Sequence, residues 1–283
     1  MAEKKVGKKM DNPLVSIVLP AYNEGNHIGE CIESLLNQSY KNIEIFIVDD
    51  ESKDNTVEVV EKYVPKVTLL KQKHLGPGAA WNLGFKHAKG DIFMFWASDH
   101  VYGKDYIKDL VKPIADGEAL RTIHAREDVA NFGNLWARAW GHRDWRILEK
   151  GGSKNASLTA KEVYIKSNGF DPNDGYADDQ SLYGKTKVFA KILDTKVSHY
   201  NPESLSESFA QNVWVGASYK KPYLIFLSLP LFLFYVIARS AQHFIREPYL
   251  PFLFFLPVFY TVKYFGYFFG ALRRVFLKKN TRI

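Results

Sequence analysis

The chain has 283 residues, 46% of them apolar, which suits one large domain with an appendage and excludes global disorder. A single cysteine excludes a disulfide framework and an all-cysteine zinc site. The net charge of +7 is no sign of a nucleic-acid partner: residues 220–283 hold ten Lys/Arg against one acid, Glu247, so the preceding 219 residues are net −2.

Residues 1–12 form a basic tail, with four lysines in the first ten and no apolar signal-peptide core behind them. Residues 14–19 (LVSIVL) are short, β-branched and apolar, and predict a first strand. Ile28, Ile32, Leu35 and Leu36 give residues 24–38 a helical stripe. Residues 43–48 (IEIFIV) predict a second strand, and Asp54 is suited to cap a helix carrying Val57 and Val60. A third strand is predicted at 67–70. The turn Gly76-Pro77-Gly78 then opens a helix that ends near Gly90, and 92–96 (IFMFW) make a fourth strand. This alternation predicts an α/β fold with a mostly parallel sheet, right-handed crossovers and flanking helices.

Ligands in such sheets bind beyond the carboxyl ends of the strands. Three polar clusters fall there: Pro20-Ala21-Tyr22-Asn23-Glu24, Asp49-Asp50-Glu51-Ser52 and Ser98-Asp99-His100. Singly each reads equally as loop or cap residues; together they point to a site. Gly76–Ala80 is not a dinucleotide loop, because it follows the third strand and Trp81 takes the place of the last glycine. Farther on, Trp136, Trp140 and Arg143 are spaced i, i+4, i+7, as if on one helix face; core packing is the default reading, a headgroup- or sugar-facing surface the alternative.

Composition changes abruptly in the tail. Residues 222–238 and 249–262 carry no charge, and after Lys263 the apolar run resumes. The first run is marginal for a membrane span of about 20 residues, and the second is long enough only if Lys263 is tolerated. A spanning hairpin, a hairpin lying in the interface and a pair of buried soluble helices all remain open. Lysines and arginines flank both ends, which places the front domain on the cytoplasmic side of a membrane.

SIVLPAYNE, IFIVDDESKDNT and GPGAAWNLGFKHAKGDIFMFWASDH, in this order and spacing, resemble the nucleotide-binding half of the family-2 glycosyltransferases, which have the GT-A fold. GGSKNASLTAKEVYIKSNGFDPNDGYADDQSL resembles their acceptor half. The resemblance implies a domain over 13–216, divided into a nucleotide-binding half (13–100) and an acceptor half (101–216), and a membrane-associated helical hairpin over 217–283. It further implies that Pro20, Ala21, Tyr22, Glu24 and Ser98 line the nucleotide and that Asp50 accepts from its base, with Asp49 alongside. Asp99 stands at the last position of the family's Asp-x-Asp metal motif, Asp179 at the catalytic base with Asp178 beside it, and Gln211 at the start of a Gln-rich, membrane-side motif. Two positions depart from that pattern: Ala97 replaces the first acid of Asp-x-Asp, and Trp214 stands where arginine is usual.

The implied activity is inverting transfer from a UDP- or GDP-linked donor, with Mg2+ or Mn2+ held by Asp99 and the donor's diphosphate, and with His100 or His199 as candidate further ligands. The acceptor would be a membrane lipid or lipid-linked saccharide. A hydroxyl acceptor needs a base, and an ionised polyprenyl phosphate does not. A degenerate, non-catalytic domain serving as a membrane-bound binding subunit is the rival expectation, and a soluble nucleotidyltransferase a third.

Overall fold

The computed structural model describes residues 6–144, 152–172, 180–218 and 222–277. Strands β1 (Val15–Ala21), β2 (Ile43–Asp49), β3 (Thr68–Lys71) and β4 (Ile92–Phe95) are connected through helices Ile28–Leu36, Thr56–Glu61 and Pro77–His87. β1 pairs in parallel with β2 and β4, and β2 with β3. Both faces of β1 and β4 and of most of β2 are covered, so their sequences read as nearly continuous apolar runs, whereas β3 is a partly exposed edge strand. Val15, Ile17 and Leu19 pack with Ile28, Ile32 and Leu35 on one side, and Val18 packs with Ala80, Trp81 and Phe85 on the other. Gly84 permits that second contact, since a Cβ there would lie 2.3 Å from Val18 Cγ1.

Beyond β4 the pairing turns antiparallel. β5 (His100–Tyr102), β6 (Arg121–Val129), β7 (Arg143–Asp144), β8 (Leu158–Ala160) and β9 (Lys191–His199) complete a sheet of order β3-β2-β1-β4-β8-β6-β9-β5, with β7 on β6. β8 lies antiparallel to β4 and to β6, and β5 antiparallel to β9. The sheet is thus mixed: parallel in the half that the strand–helix alternation foretold, antiparallel where β8 joins β4 and β6, β7 joins β6 and β5 joins β9. The helix Tyr106–Ala115 buries Ile107, Leu110, Val111 and Ile114, a 3.6-period stripe.

The described residues divide into two compact units. One holds 6–128, 142–144, 152–172 and 180–199; the other holds 129–141, 200–218 and 222–277. The second unit is helical: Leu135–Trp140, Leu205–Ser218, Tyr223–Leu227, a 3-10 turn Leu229–Leu231, Phe232–Arg246 and Phe252–Leu277. Here two expectations are corrected. Gly141, at φ +74°, ends the first of these helices, and Arg143 sits on β7 in the other unit, so it shares no helix face with Trp136 and Trp140. The two tryptophans do share a face and pack on Phe255 and Phe259. The apolar run 222–238 is not one helix, because it breaks at Ser228 and Pro230 before the 15-residue helix Phe232–Arg246. At about 1.5 Å per residue that helix is shorter than a hydrocarbon core of about 30 Å. Among the described residues, one helix, Phe252–Leu277, is long and apolar enough to cross a membrane.

Candidate active site

The rim at the ends of β1 and β2 is built by backbone. Asp50 N donates to Ala21 O, and the next turn is closed by Asn23, whose N–H donates to Ser52 Oγ and whose Oδ1 accepts from Lys53 N. Asn23 and Glu51 both take positive φ, +56° and +69°, a region that costs non-glycine residues energy. Asp49 Oδ1 accepts from Ser52 N. The buried Asp50 carboxylate gathers the loop after β3: Oδ1 accepts from Gln72 Nε2 (2.7 Å) and Leu75 N (2.9 Å), and Oδ2 from Gly76 N (3.0 Å). His74 Nδ1 stands 3.0 Å from Oδ2, and its ring lies 4.2 Å from that of Tyr22. The sequence reading missed Gln72 and His74 because neither lies in a recognisable spacing. They matter because they connect Tyr22 with Asp50. Glu24 N donates to Thr56 Oγ1, which anchors the end of the first cluster.

Past β4 the chain passes Ala97 and the buried Ser98 to Asp99 and enters β5 at His100. In the β5–β9 register His100 lies directly opposite His199, and their rings stack at 4.4 Å. His199 Nε2 is 3.1 Å from Asp99 Oδ2, and His100 Nδ1 is 2.8 Å from Asp99 Oδ1. The ligating atoms of the three residues all fall within 4.8 Å of one another. Burial would raise the Asp99 pKa, but the neighbouring His199 and His100 outweigh it and hold the carboxyl well below the usual range. His199 is raised: burial lowers it, and the Asp99 charge overrides that. His100 is lowered, chiefly by burial and then by the charge of His199.

A divalent cation fits this donor set. The carboxylate oxygen suits Mg2+ or Mn2+, and the imidazole nitrogen favours the softer Mn2+ of the two; adjacent octahedral ligands about 2.1 Å from an ion lie about 3 Å apart, as His199 Nε2 and Asp99 Oδ2 do. Asp99 Oδ1 and His100 Nδ1 stand 2.8 Å apart but are not aligned as a hydrogen bond, and neither has another aligned partner among the described residues. His100 differs. Trp96 Nε1–H donates to its Nε2 at 2.9 Å, and an indole can only donate. The single proton of a neutral His100 therefore sits on Nδ1, on the side facing Asp99.

Behind the site runs a buried network that the sequence reading also missed. His124 Nδ1 lies 2.8 Å from Tyr106 Oη and 3.2 Å from Ser157 Oγ, and His124 Nε2 lies 3.2 Å from Glu127 Oε1. Arg143 Nη1 donates to Glu127 Oε2, and Trp96 packs edge-on to His124 at 5.1 Å. Burial would raise Glu127, but Arg143 and then His124 hold it well below the carboxylate range.

Asp178 and Asp179 lie outside the described residues. Gln211 and Trp214 are half-buried on the helix Leu205–Ser218, in the other unit.

A mixed α/β sheet with carboxylates along one strand-end rim is a GT-A-like architecture. Residues 16–170 match the family model "Glycosyl transferase family 2", which is more than half of the chain, and the chain belongs to that family. It is 45% identical over 91 residues to an uncharacterized glycosyltransferase of Rickettsia prowazekii (strain Madrid E), a stretch covering 32% of this chain and 29% of the relative. It is 36% identical over 110 residues to glycosyltransferase GlyG of Streptococcus pneumoniae serotype 4, covering 38% and 36%. The chain thus matches only about a third of the length of these curated relatives. Among solved structures, the mannosyltransferase PcManGT from Pyrobaculum calidifontis, in complex with GDP-Man and Mn2+, superposes with a TM-score of 0.58 at 17% identity, covering 99% of this chain and 92% of that one. Staphylococcus aureus TarS 1–349 in complex with UDP-GlcNAc gives 0.55 at 16% identity, covering 93% and 91%. At such identities these two likenesses bear on the fold.

Proposed function

We propose that this chain is a membrane-associated, metal-dependent, inverting glycosyltransferase that moves a sugar from a UDP- or GDP-linked donor to a membrane-linked acceptor. The observation that carries the reading is the meeting of Asp99 and His199, 100 residues apart in sequence, around one point in a family-2 chain. The bound GDP-Man and Mn2+ of PcManGT and the UDP-GlcNAc of TarS 1–349 support the donor class.

Tyr22, with Pro20, Ala21, Glu24 and Ser98, lines the nucleotide. Asp50, alongside Asp49, fixes the loop 72–76 against which the base lies and turns the His74 ring toward Tyr22. Asp99 and His199 hold the cation. When bound, that cation offsets the charge of the nucleoside diphosphate as it leaves. Ala97 offers no carboxylate, and His199 supplies the protein ligand that a first acid would otherwise provide. His100 is a positioning residue rather than a ligand, because its Nδ1 carries the proton that faces Asp99. Asp179 takes the proton of an acceptor hydroxyl that attacks the anomeric carbon from the face opposite the leaving group. The acidic pair Asp178-Asp179 favours a hydroxyl on a glycolipid or lipid-linked saccharide over a polyprenyl phosphate. The basic flanks of the tail favour the anionic cytoplasmic leaflet and hence the cytoplasmic side.

Replacing Asp179 by Asn is expected to lower transfer at least about 100-fold, with nucleotide binding within about twofold of the parent. A screen of nucleotide sugars for Mn2+-dependent hydrolysis identifies the donor used. Undiminished transfer by the variant removes Asp179 from the role of base. The degenerate binding-subunit reading, motivated by Ala97, requires instead that no nucleotide sugar is turned over. His100 has its own discriminator. Asn presents an amide N–H where Nδ1–H stood, and Gln presents one at the Nε2 position. His100→Asn should keep Mn2+ affinity within about threefold, and His100→Gln should lower it about 10–100-fold, read by the electron paramagnetic resonance of free Mn2+. Equal losses in both would make His100 a ligand.

A further inference from the structure

The helix Phe252–Leu277 is two-faced along its whole length. Its inner side is covered by protein from end to end. Trp136 meets Phe255 at 4.9 Å, and Trp140 meets Phe259 at 5.9 Å. Lys263 places its ammonium 4.3 Å from the centre of the Trp140 ring. Gly266 lies against Asn212, Gly270 against the backbone of Val213 and Ala217, and Arg274 Nη1 donates to Ala217 O at 3.0 Å. The outer side is a stripe of Phe254, Val258, Phe265, Phe269 and Phe276, each 36–78% exposed. Their spacing of 4, 7, 4 and 7 residues keeps them in line over about 33 Å of helix.

A helix crossing a bilayer meets lipid or another apolar helix at every level of the hydrocarbon. Here the flanking helix Leu205–Ser218 brings Ser208, Gln211 and Asn212 alongside, and Glu207 is exposed near its start. Crossing would drag these groups, with Lys263, toward the hydrocarbon. The preceding helix, Phe232–Arg246, repeats the pattern on a shorter scale. Val236 is buried, Leu233, Phe234 and Ile237 face outward, and Arg239 and Arg246 are exposed. Leu224, Leu227, Leu229 and Leu231 are exposed on the broken segment before it. The segment 220–283 carries a net +9. One-sided apolar stripes, with Arg239 and Arg246 exposed beside the shorter one and a strongly basic segment as a whole, suit an anionic lipid surface rather than a lipid-filled surround.

We infer that the C-terminal helices lie in the plane of an anionic membrane, with Phe254, Phe265, Phe269 and Phe276 inserted side by side into one leaflet, and that neither helix spans the bilayer. The inference rests on the membrane association proposed above and fixes its mode.

The test uses the full chain with vesicles of phosphatidylcholine and phosphatidylserine. Phe254, Phe265 and Phe276 are replaced singly by Cys and labelled with an environment-sensitive fluorophore, the chain's own Cys31 being buried. Lipid-borne quenchers at graded depths then give the depth of each site. An in-plane helix gives three equal, shallow depths. A deep reading at 265 with shallow readings at 254 and 276 is the signature of a span and overturns the inference while leaving membrane association intact. Absence of vesicle flotation in the unlabelled parent removes the membrane reading itself. Dimers in solution with no flotation would mean that a second copy covers the stripe, which also overturns it. Each Phe→Ser replacement in the stripe is expected to weaken vesicle partitioning about 10-fold, and omission of phosphatidylserine to weaken it further.

Discussion

Substitution of Asp99 by Asn is expected to lower sugar transfer by at least about 10²–10³-fold while the chain stays folded by circular dichroism. The carboxylate lies between two imidazoles, with Oδ2 3.1 Å from His199 Nε2 and Oδ1 lacking any aligned partner. An amide of the same shape fills the space but carries no charge, so it neither holds a divalent ion firmly nor balances His199. Because Ala97 offers no second carboxylate in the motif, no neighbouring acid of that motif is placed to substitute. Transfer at more than about a tenth of the parental rate would show that Asp99 is not the centre of the chemistry.

Replacement of Gly270 by Leu is expected to destabilise the helical unit by about 3 kcal/mol or more. A Cβ at this position would stand 2.1 Å from Val213 O and 2.6 Å from Ala217 N, and both are backbone atoms that cannot rotate away. Gly216 makes the reciprocal approach, with its Cβ position 2.3 Å from Tyr267 O. The two helices are in contact only because these positions lack side chains, as in small-residue helix pairs generally. Gly184→Ala, in the helix Ser181–Thr186 with nothing within 4 Å of the added Cβ, is the control and should stabilise slightly, by about 0.5–1 kcal/mol. Thermal or urea unfolding in detergent compares the two. Equal effects would mean that the close helix contact does not hold.

The first half of the sheet was readable from sequence because each strand is a dense apolar run bounded by turn residues, with striped helices between. The second half was hidden for two reasons. β6 buries Arg121, His124 and Glu127, so hydropathy does not mark it as a core strand. Its partners come from distant parts of the chain, and nothing local announces antiparallel pairing with β8. The site divides along the same line. Tyr22, Asp50 and Asp99 were legible as polar ends of parallel strands. That His199 faces His100 depends on the β5–β9 register, which no local pattern encodes. The helix face expected to join Trp140 and Arg143 failed at one residue, since Gly141 takes a left-handed φ and stops the helix. In the tail, composition gave the apolar character, but Ser228 and Pro230 broke the first run into pieces too short to cross a membrane.

The most direct test of the account is calorimetric titration of UDP and GDP into the purified chain with and without Mn2+. If Asp99 and His199 share a cation with the nucleotide's diphosphate, Mn2+ strengthens binding of one nucleotide about 10-fold or more, and His199→Ala abolishes that gain while leaving the metal-free affinity unchanged. Nucleotide affinity indifferent to Mn2+, or a gain that survives in the His199 variant, would contradict it.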